Sequence, residues 1–185
     1  MKGKVLVGLT GMPGSGKATA RELLREMGYA TVVMGDVVRE ETKRRNLEPT
    51  PENIGVVMLR LREEEGPEVV AKRCIPKIEA ERANVVVVDG IRSPEEVNEF
   101  KRHFPNFNLI AVHASPQTRF QRLFRRRRSD DPKNWRTFRE RDLRELSVGL
   151  GNVVAMADHM VVNEGTRAQL KRKVSHVLEG EVKGE

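Results

Sequence analysis

The feature that most constrains this chain is a glycine-rich segment near its amino terminus, which reads GMPGSGK over residues 11–17. Gly11, Gly16 and Lys17 match the spacing G-x-x-x-x-G-K, in which glycines let consecutive backbone N–H groups converge on an anion. An apolar run precedes the segment and a helical pattern follows it, so the positive end of a helix points to the same place. The sequence therefore predicts a phosphate-binding loop, with Lys17 directed at the β- and γ-phosphates of a nucleoside triphosphate.

The residue after the lysine departs from the usual loop. Ala18 stands where a Ser or Thr hydroxyl ordinarily contacts Mg²⁺, and Thr19 follows one residue later. Two other interpretations of the segment are a glycine-rich turn without a ligand and a dinucleotide-binding fingerprint. The flanking strand and helix argue against the first, and no G-x-G-x-x-G can be laid over these glycines, which argues against the second.

Length and composition are typical of one soluble domain. The 185 residues are enough for a single hydrophobic core, with 38% hydrophobic and 33% charged residues. The one cysteine, Cys74, has no partner for an internal disulfide and fits a reducing compartment. No segment approaches the ~20 apolar residues of a membrane span. We therefore expect a cytoplasmic protein with no membrane partner.

The net charge of +7 comes from one part of the chain. Between Arg119 and Arg144 there are eleven basic and four acidic residues, so the remainder is neutral overall. A nucleic-acid-binding protein more often spreads its charge over a face and adds stacking aromatic residues, which are only 4% of this chain. The distribution argues against a nucleic-acid partner and favours an enzyme that handles phosphates.

Five short runs rich in Val, Ile and Leu, without polar alternation, predict strands that are buried on both faces of a parallel sheet. These runs are Lys4–Leu9, Ala30–Met34, Asn84–Asp89, Asn108–His113 and His159–Val162. The helical patterns are Lys17–Met27, Val37–Arg45, Pro51–Glu65, Pro67–Ala83, Pro94–His103, Pro116–Arg127, Thr137–Val148 and Thr166–Leu178. Their alternation predicts a three-layer α/β/α sandwich that binds ligands at the carboxyl ends of its strands.

Two segments do not fit a plain alternation of strand and helix. Residues 36–83 carry three helical patterns between the second and third strands, and residues 121–144 are polar and rich in arginine. We expect the first to be an acceptor-binding insertion and the second a lid, both closing over ligands. The predicted organisation is a single domain, 1–185, whose core comprises residues 1–35, 84–120 and 145–180.

Two predicted strands end in an aspartate that is followed three residues later by an arginine. Asp36 and Arg39 follow the second strand, and Asp89 and Arg92 follow the third. Asp36 is also a candidate helix N-cap, and Arg39 a solvated surface residue. Asp89 follows four valines, so a buried strand delivers its carboxylate to the ligand edge, where it can hold Mg²⁺ through water.

Together, the motifs G-x-P-G-S-G-K-x-T, G-D-x-x-R and D-G-x-R resemble those of adenylate kinases and related nucleoside-monophosphate kinases. Those kinases also carry their threonine one residue later, which makes Thr19 the better candidate beside the metal. The resemblance implies that Arg39 and Arg92 grip the phosphate of an acceptor. It also implies that lid arginines close on the transferring group.

The stretch from Ala157 to Gly165, ADHMVVNEG, is similar to one in dephospho-coenzyme A kinases, where an Asn–Gly loop lies by the adenine of ATP. This similarity implies an adenine-side role for Asn163. Nearly the whole chain, including IRSPEEV and RSDDP, resembles an archaeal group of uncharacterised kinase-like P-loop proteins. That resemblance implies the fold and leaves the substrate open.

These resemblances imply a site for ATP and Mg²⁺ with four groups of residues. The ATP-binding group is Gly11, Met12, Pro13, Gly14, Ser15, Gly16, Lys17, Ala18, Thr19 and Asn163. The metal group is Thr19 and Asp89, and the acceptor group is Asp36, Arg39 and Arg92. The catalytic group is Lys17, Arg122, Arg128, Arg139 and Asp36, with Arg141 as a further lid candidate, whereas Arg125–Arg127 are interpreted as a solvated helix face.

The function favoured by the sequence is transfer of the γ-phosphoryl group of Mg–ATP to a small nucleotide or nucleotide-like acceptor. A phosphate acceptor needs no base, and the paired arginines favour that branch. A hydroxyl acceptor, as in dephospho-coenzyme A kinases, needs a carboxylate, for which Asp36 is the candidate. A regulatory ATP-binding P-loop protein without a small-molecule acceptor is a further alternative. The sequence leaves the oligomeric state and the choice between ATP and GTP open.

Overall fold

A five-stranded parallel sheet lies at the centre of the structure, a computed structural model that describes residues 3–128 and 131–183. The strands are β1 (Val5–Thr10), β2 (Ala30–Val33), β3 (Val85–Asp89), β4 (Asn106–His113) and β5 (His159–Val162). They lie in the order β2-β3-β1-β4-β5, and every pair is parallel. The predicted five-stranded parallel sheet is confirmed.

The described residues form nine helices around the sheet. They are α1 (Lys17–Glu26), α2 (Met34–Arg44), α3 (Pro51–Glu65), α4 (Val69–Ala80), α5 (Pro94–His103), α6 (Pro116–Arg126), α7 (Trp135–Ser147), α8 (Leu150–Ala155) and α9 (Arg167–Lys183). The sequence did not predict α8. Helix α2 begins three residues earlier than predicted, so Asp36 lies in its first turn and Val33 is the N-cap. None of the described helices is long and apolar enough to cross a membrane.

Local sequence explains where several helices begin. Thr50, Ser93 and Ser115 each accept a hydrogen bond from a backbone N–H of the first turn, and each is followed by proline. Proline suits this position because its missing N–H would have no partner there in any case. At α5 the cap is reciprocal, since Glu96 also accepts from the backbone N–H of Ser93.

Both faces of the sheet are covered, which confirms the predicted three layers. On one face Leu6, Val86 and Val88 pack with buried residues of α2, α3, α4, α5 and α8. On the other face Val7 and Val87 pack with buried residues of α1 and α9. Strands buried on both faces have no polar side to alternate with, which is why their sequences are continuous apolar runs. The central strand, β1, delivers the glycine-rich segment to the carboxyl edge.

Candidate active site

The loop between β1 and α1 has the backbone that its glycines permit. Gly11, Gly14 and Gly16 have φ angles of 143°, 82° and 103°, in the region that side chains disfavour. A Cβ at Gly11 would lie 2.2 Å from the Val112 carbonyl oxygen, so the loop also passes too close to β4 for any other residue. Helix α1 begins at Lys17, so its N-terminal N–H groups are directed to the mouth of the loop.

Two side chains hold the loop through its Ser15 carbonyl. Asn163 Nδ2 donates to that oxygen at 2.8 Å, and Arg122 Nη1 donates to it at 3.3 Å. Arg122 Nη2 also donates to the Asn163 carbonyl at 2.9 Å, which ties the end of β5 to α6. Asn163 is 7% exposed, and its amide is used by the loop backbone. Its direct contact with adenine therefore stays a prediction.

A buried ion pair fixes α7 to α6 and to the loop. Arg119 donates to both carboxylate oxygens of Asp142, at 2.8 and 2.6 Å, and to the Pro13 carbonyl at 3.1 Å. Its guanidinium also lies 5.0 Å from the centre of the Phe138 ring. Arg119 and Asp142 are 4% and 3% exposed. Because the ion pair is bidentate and buried, it fixes both the distance between α7 and the glycine loop and the orientation of α7.

A cavity of about 400 Å³ opens between the loop and the helices that follow β4. From the loop it is lined by Gly11, Met12, Pro13, Gly14, Gly16, Lys17, Ala18 and Thr19. The facing residues are Arg92, Arg122, Leu123, Arg126, Arg128, Arg141, Glu145 and Leu150. Six of these described lining residues are Lys or Arg and one is a carboxylate. The lining of the cavity is therefore strongly cationic.

Burial lowers the pKa of the Lys17 ammonium. The nearby carboxylates Asp89 and Glu145 act in the opposite direction, whereas the guanidinium groups of Arg92 and Arg141 add to the lowering. An anionic ligand in this cavity would restore the balance, since it would favour the charged form of the lysine. Lys17 is thus a half-buried lysine whose charged form is disfavoured mainly by loss of contact with water.

Asp89, the last residue of β3, has one carboxylate oxygen without a partner. Arg21 Nη1 donates to Asp89 Oδ2 at 2.9 Å, while the buried Oδ1 accepts no hydrogen bond. A buried, unpaired carboxylate oxygen is costly, and its position at the carboxyl edge fits a hydrated Mg²⁺. No group of three or more His, Cys, Asp or Glu that could hold a metal ion occurs among residues 3–128 and 131–183. A magnesium ion here would therefore need phosphate oxygens and water as its other ligands.

Comparison with known proteins agrees with this architecture. Residues 10–139 match the family model of the AAA domain. The UPF0200 protein of Hyperthermus butylicus is 47% identical over 175 residues, which cover 95% of this chain and 94% of the relative. The chain carries an AAA domain and belongs to the UPF0200 family. This confirms the resemblance to archaeal kinase-like P-loop proteins.

Solved structures with the same fold include kinases. TT1252 from Thermus thermophilus superposes with a TM-score of 0.66 at 18% identity, covering 96% of the UPF0200 chain and 98% of its own. The shikimate kinase of Bacteroides thetaiotaomicron superposes with a TM-score of 0.62 at 18% identity, covering 95% and 96%. The UPF0200 protein therefore has a P-loop kinase-like fold.

Six predicted site residues do not line the cavity, namely Ser15, Asp36, Arg39, Asp89, Arg139 and Asn163. Asp36 and Arg39 form an ion pair with each other on α2, and both side chains are more than half exposed. Arg139 is exposed on α7. Arg139 lies outside the cavity lining, because α7 turns the side bearing Arg141 and Glu145 to the cavity, and its contact with the phosphates stays a prediction. Two residues further back, Arg139 projects from the opposite side of the helix.

Two charged cavity residues, Arg126 and Glu145, were not predicted from the sequence. Arg126 was grouped with a solvated helix face, yet it lines the cavity and pairs with buried Asp131 at 2.9 and 2.6 Å. Spacing could have found both, because Arg126 lies four residues after Arg122 and Glu145 four after Arg141. Residues four apart share one face of a helix.

Proposed function

We propose that this protein is an ATP-dependent phosphotransferase that moves the γ-phosphoryl group of Mg–ATP to a small, phosphate-bearing acceptor of the nucleotide class. The observation that carries the proposal is the convergence of Lys17 and five arginines on one cavity. Phosphoryl transfer depends on positioning and on neutralising the charge of the moving group, and such a cavity serves both needs.

The charge balance of the cavity supports an anionic acceptor. A triphosphate accompanied by Mg²⁺ carries fewer negative charges than these six side chains carry positive ones. One of the six is Arg92, which follows β3, lies outside the glycine loop and is contacted by Glu145 of the same lining. A second phosphate group bound to Arg92 would complete the balance and would lie beside the γ-phosphate.

Each part of the site has a role in this reaction. The loop N–H groups and Lys17 would bind the β- and γ-phosphates, and Thr19 with the free oxygen of Asp89 would hold Mg²⁺ through water. That ion would neutralise charge between the β- and γ-phosphates. The arginines of α6 and α7 would stabilise the charge on the transferring group. An acceptor phosphate oxygen bonds to the γ-phosphorus, and the bond to the β–γ bridging oxygen breaks.

A hydroxyl acceptor is the second candidate. The observation that favours it is the position of Glu145, which is better placed than Asp36 to serve as the base. A hydroxyl nucleophile loses a proton, which requires a carboxylate within reach. Asp36 pairs with Arg39 outside the cavity, whereas Glu145 lies in its lining. Glu145 would then be the base.

A phosphoryl-transfer screen tests the proposal. The protein is incubated with Mg–ATP and each of a series of nucleoside monophosphates and dephospho-coenzyme A, and ADP and the mass of the acceptor are measured together. We expect equal amounts of ADP and of an acceptor heavier by one phosphoryl group. ADP without a modified acceptor across the series, or no ADP at all, would contradict the proposed class of reaction.

A further inference from the structure

Glu145 is the one carboxylate in the described lining of the cationic cavity, and it contacts Arg92. Both of its carboxylate oxygens lie 3.4 Å from Arg92 Nη1. The Glu145 side chain is 14% exposed, whereas that of Arg92 is 45% exposed. A residue of α7 thus reaches across the cavity to the arginine that follows β3.

The position of Glu145 is set by the buried ion pair of its own helix. Asp142, three residues earlier on α7, is held by both Nη atoms of Arg119. Arg141, the neighbour of Asp142, also lines the cavity. Because α7 is fixed at this point, Glu145 has a defined place opposite Arg92, independent of the contact between them.

The contact itself is weak enough to be exchanged. A distance of 3.4 Å exceeds the usual range for a hydrogen bond between a nitrogen and an oxygen, and Arg92 is nearly half exposed to water. Both oxygens share one Nη atom, so Arg92 does not form the bidentate pair that a guanidinium makes with a well-placed carboxylate or phosphate. A phosphate group could make that bidentate pair and would be the stronger partner.

We propose that Glu145 is a specificity-determining, positioning residue that occupies Arg92 in the absence of an acceptor and competes with the phosphate of the acceptor for its guanidinium. This inference rests on the proposed function, since it assumes that Arg92 binds the acceptor phosphate. The carboxylate keeps Arg92 turned toward the cavity. It also repels an anion that cannot displace it, so weakly held anions are excluded.

Binding of inorganic phosphate tests the competition without a known acceptor. The wild-type protein, Glu145→Gln, Arg92→Gln and the double variant are saturated with Mg and the imido analogue of ATP, and phosphate is titrated calorimetrically. We expect Glu145→Gln to bind phosphate about five- to tenfold more tightly, because one negative charge near the bound anion is removed. Arg92→Gln should weaken binding, and the double variant should show no gain over Arg92→Gln.

The outcomes separate this inference from the proposed function. Glu140→Gln, on the exposed side of the same helix, is the matched control and should bind phosphate as the wild-type protein does. Unchanged, weaker or undetectable phosphate binding in Glu145→Gln, with normal binding of the ATP analogue, overturns the competition alone. Failure of the wild-type protein to bind the analogue overturns the proposed function and this inference with it.

Steady-state kinetics with an acceptor from the phosphoryl-transfer screen provide a second measurement. Competition predicts that Glu145→Gln lowers the KM for the acceptor. A merely structural role would not improve acceptor binding. A large fall in kcat with an unchanged KM would identify Glu145 as a base and overturn the competition.

Discussion

The glycine loop, which is the predicted ATP side, and the residues on α2 that were predicted for the acceptor side are built differently. The glycine loop is held by hydrogen bonds from Asn163, which follows β5, and from Arg122 and Arg119, which both lie on α6. On the acceptor side, Asp36 and Arg39 contact each other, and both are more than half exposed. The glycine loop is thus held in place by hydrogen bonds, whereas the predicted acceptor residues on α2 are exposed.

This difference indicates how the two ligands would be recognised. A loop that is already ordered loses little conformational entropy when it binds phosphates. Exposed side chains on the acceptor side must be ordered by the acceptor itself, so the free energy of acceptor binding would drive completion of the site. Part of the predicted acceptor-binding segment is nevertheless well anchored, since buried Glu41 on α2 accepts hydrogen bonds from Arg44, Arg45 and Arg73.

The largest effect on stability is expected from breaking the ion pair behind the ATP side. Asp142→Ala leaves the Arg119 guanidinium buried without its anion, which should lower the free energy of unfolding by about 3–5 kcal/mol. Urea denaturation followed by circular dichroism measures this loss. Glu140→Ala on the same helix should change it by less than about 0.5 kcal/mol. Equal losses in the two variants would mean that α7 is not anchored through Asp142.

The largest effect on activity is expected from Lys17. Lys17→Met should lower kcat/KM by about 10²–10³-fold, the usual loss when one donor to a developing charge is removed. Because burial lowers the pKa of Lys17, wild-type affinity for Mg–ATP should fall as the pH rises through that lowered value and the ammonium loses its charge. Calorimetric titration from neutral to alkaline pH checks this. Wild-type nucleotide affinity in Lys17→Met would remove the lysine from the site.

Much of this fold could be predicted because its signals are local. Apolar runs fixed five strands to within about two residues, and Pro94 and Pro116 marked the starts of their helices. The short helix α8 was missed because six residues give too little periodicity to detect. Its N-cap, Gly149, has a φ of 97° and no side chain to signal a cap.

The site was less predictable than the fold. The glycine loop and the residues Asp89 and Arg92 could be predicted from motifs. The backbone conformation of the glycines determines the loop, and the end of β3 determines where Asp89 and Arg92 lie. The positions of the arginines on α6 and α7 could not be predicted in this way, since they depend on the ion pair that Arg119 and Asp142 form between the two helices. A charge-rich helix presents similar residues on every side. Sequence alone could not show that α7 turns Arg141 inward and Arg139 outward.

An intermediate effect on the free energy of unfolding is expected from Glu41 on α2. The hydrogen bonds from Arg44, and then from Arg45 and Arg73, hold the pKa of Glu41 well below its usual range. A lowered pKa means that the ionised carboxylate stabilises the fold above about pH 4 and that this contribution is lost as the pH falls further. Glu41→Gln should therefore cost on the order of 2 kcal/mol at pH 7, and less in acid.

Unfolding by urea at pH 7 and at pH 3 measures the effect of Glu41→Gln. The neighbouring Glu40, which pairs with Lys77 at an exposed position, provides the matched variant Glu40→Gln. Its effect should be small at both pH values. A Glu41→Gln effect that stays the same from pH 7 to pH 3 would show that the ionised carboxylate is not what anchors α2.

The smallest effect is expected at the exposed pair on α2. Asp36→Asn removes a carboxylate that is more than half exposed, so the free energy of unfolding should fall by about 0.5 kcal/mol or less. Because Asp36 lies outside the cavity lining, kcat with a phosphate acceptor should stay within about twofold of wild type. Steady-state kinetics with saturating acceptor measure this. A fall in kcat of a hundredfold or more would instead indicate that Asp36 contacts the reacting oxygen of the acceptor. Helix α2 would then have to close on the acceptor, so that Asp36 leaves Arg39 and contacts the substrate. That result would support a hydroxyl acceptor with Asp36 as the base.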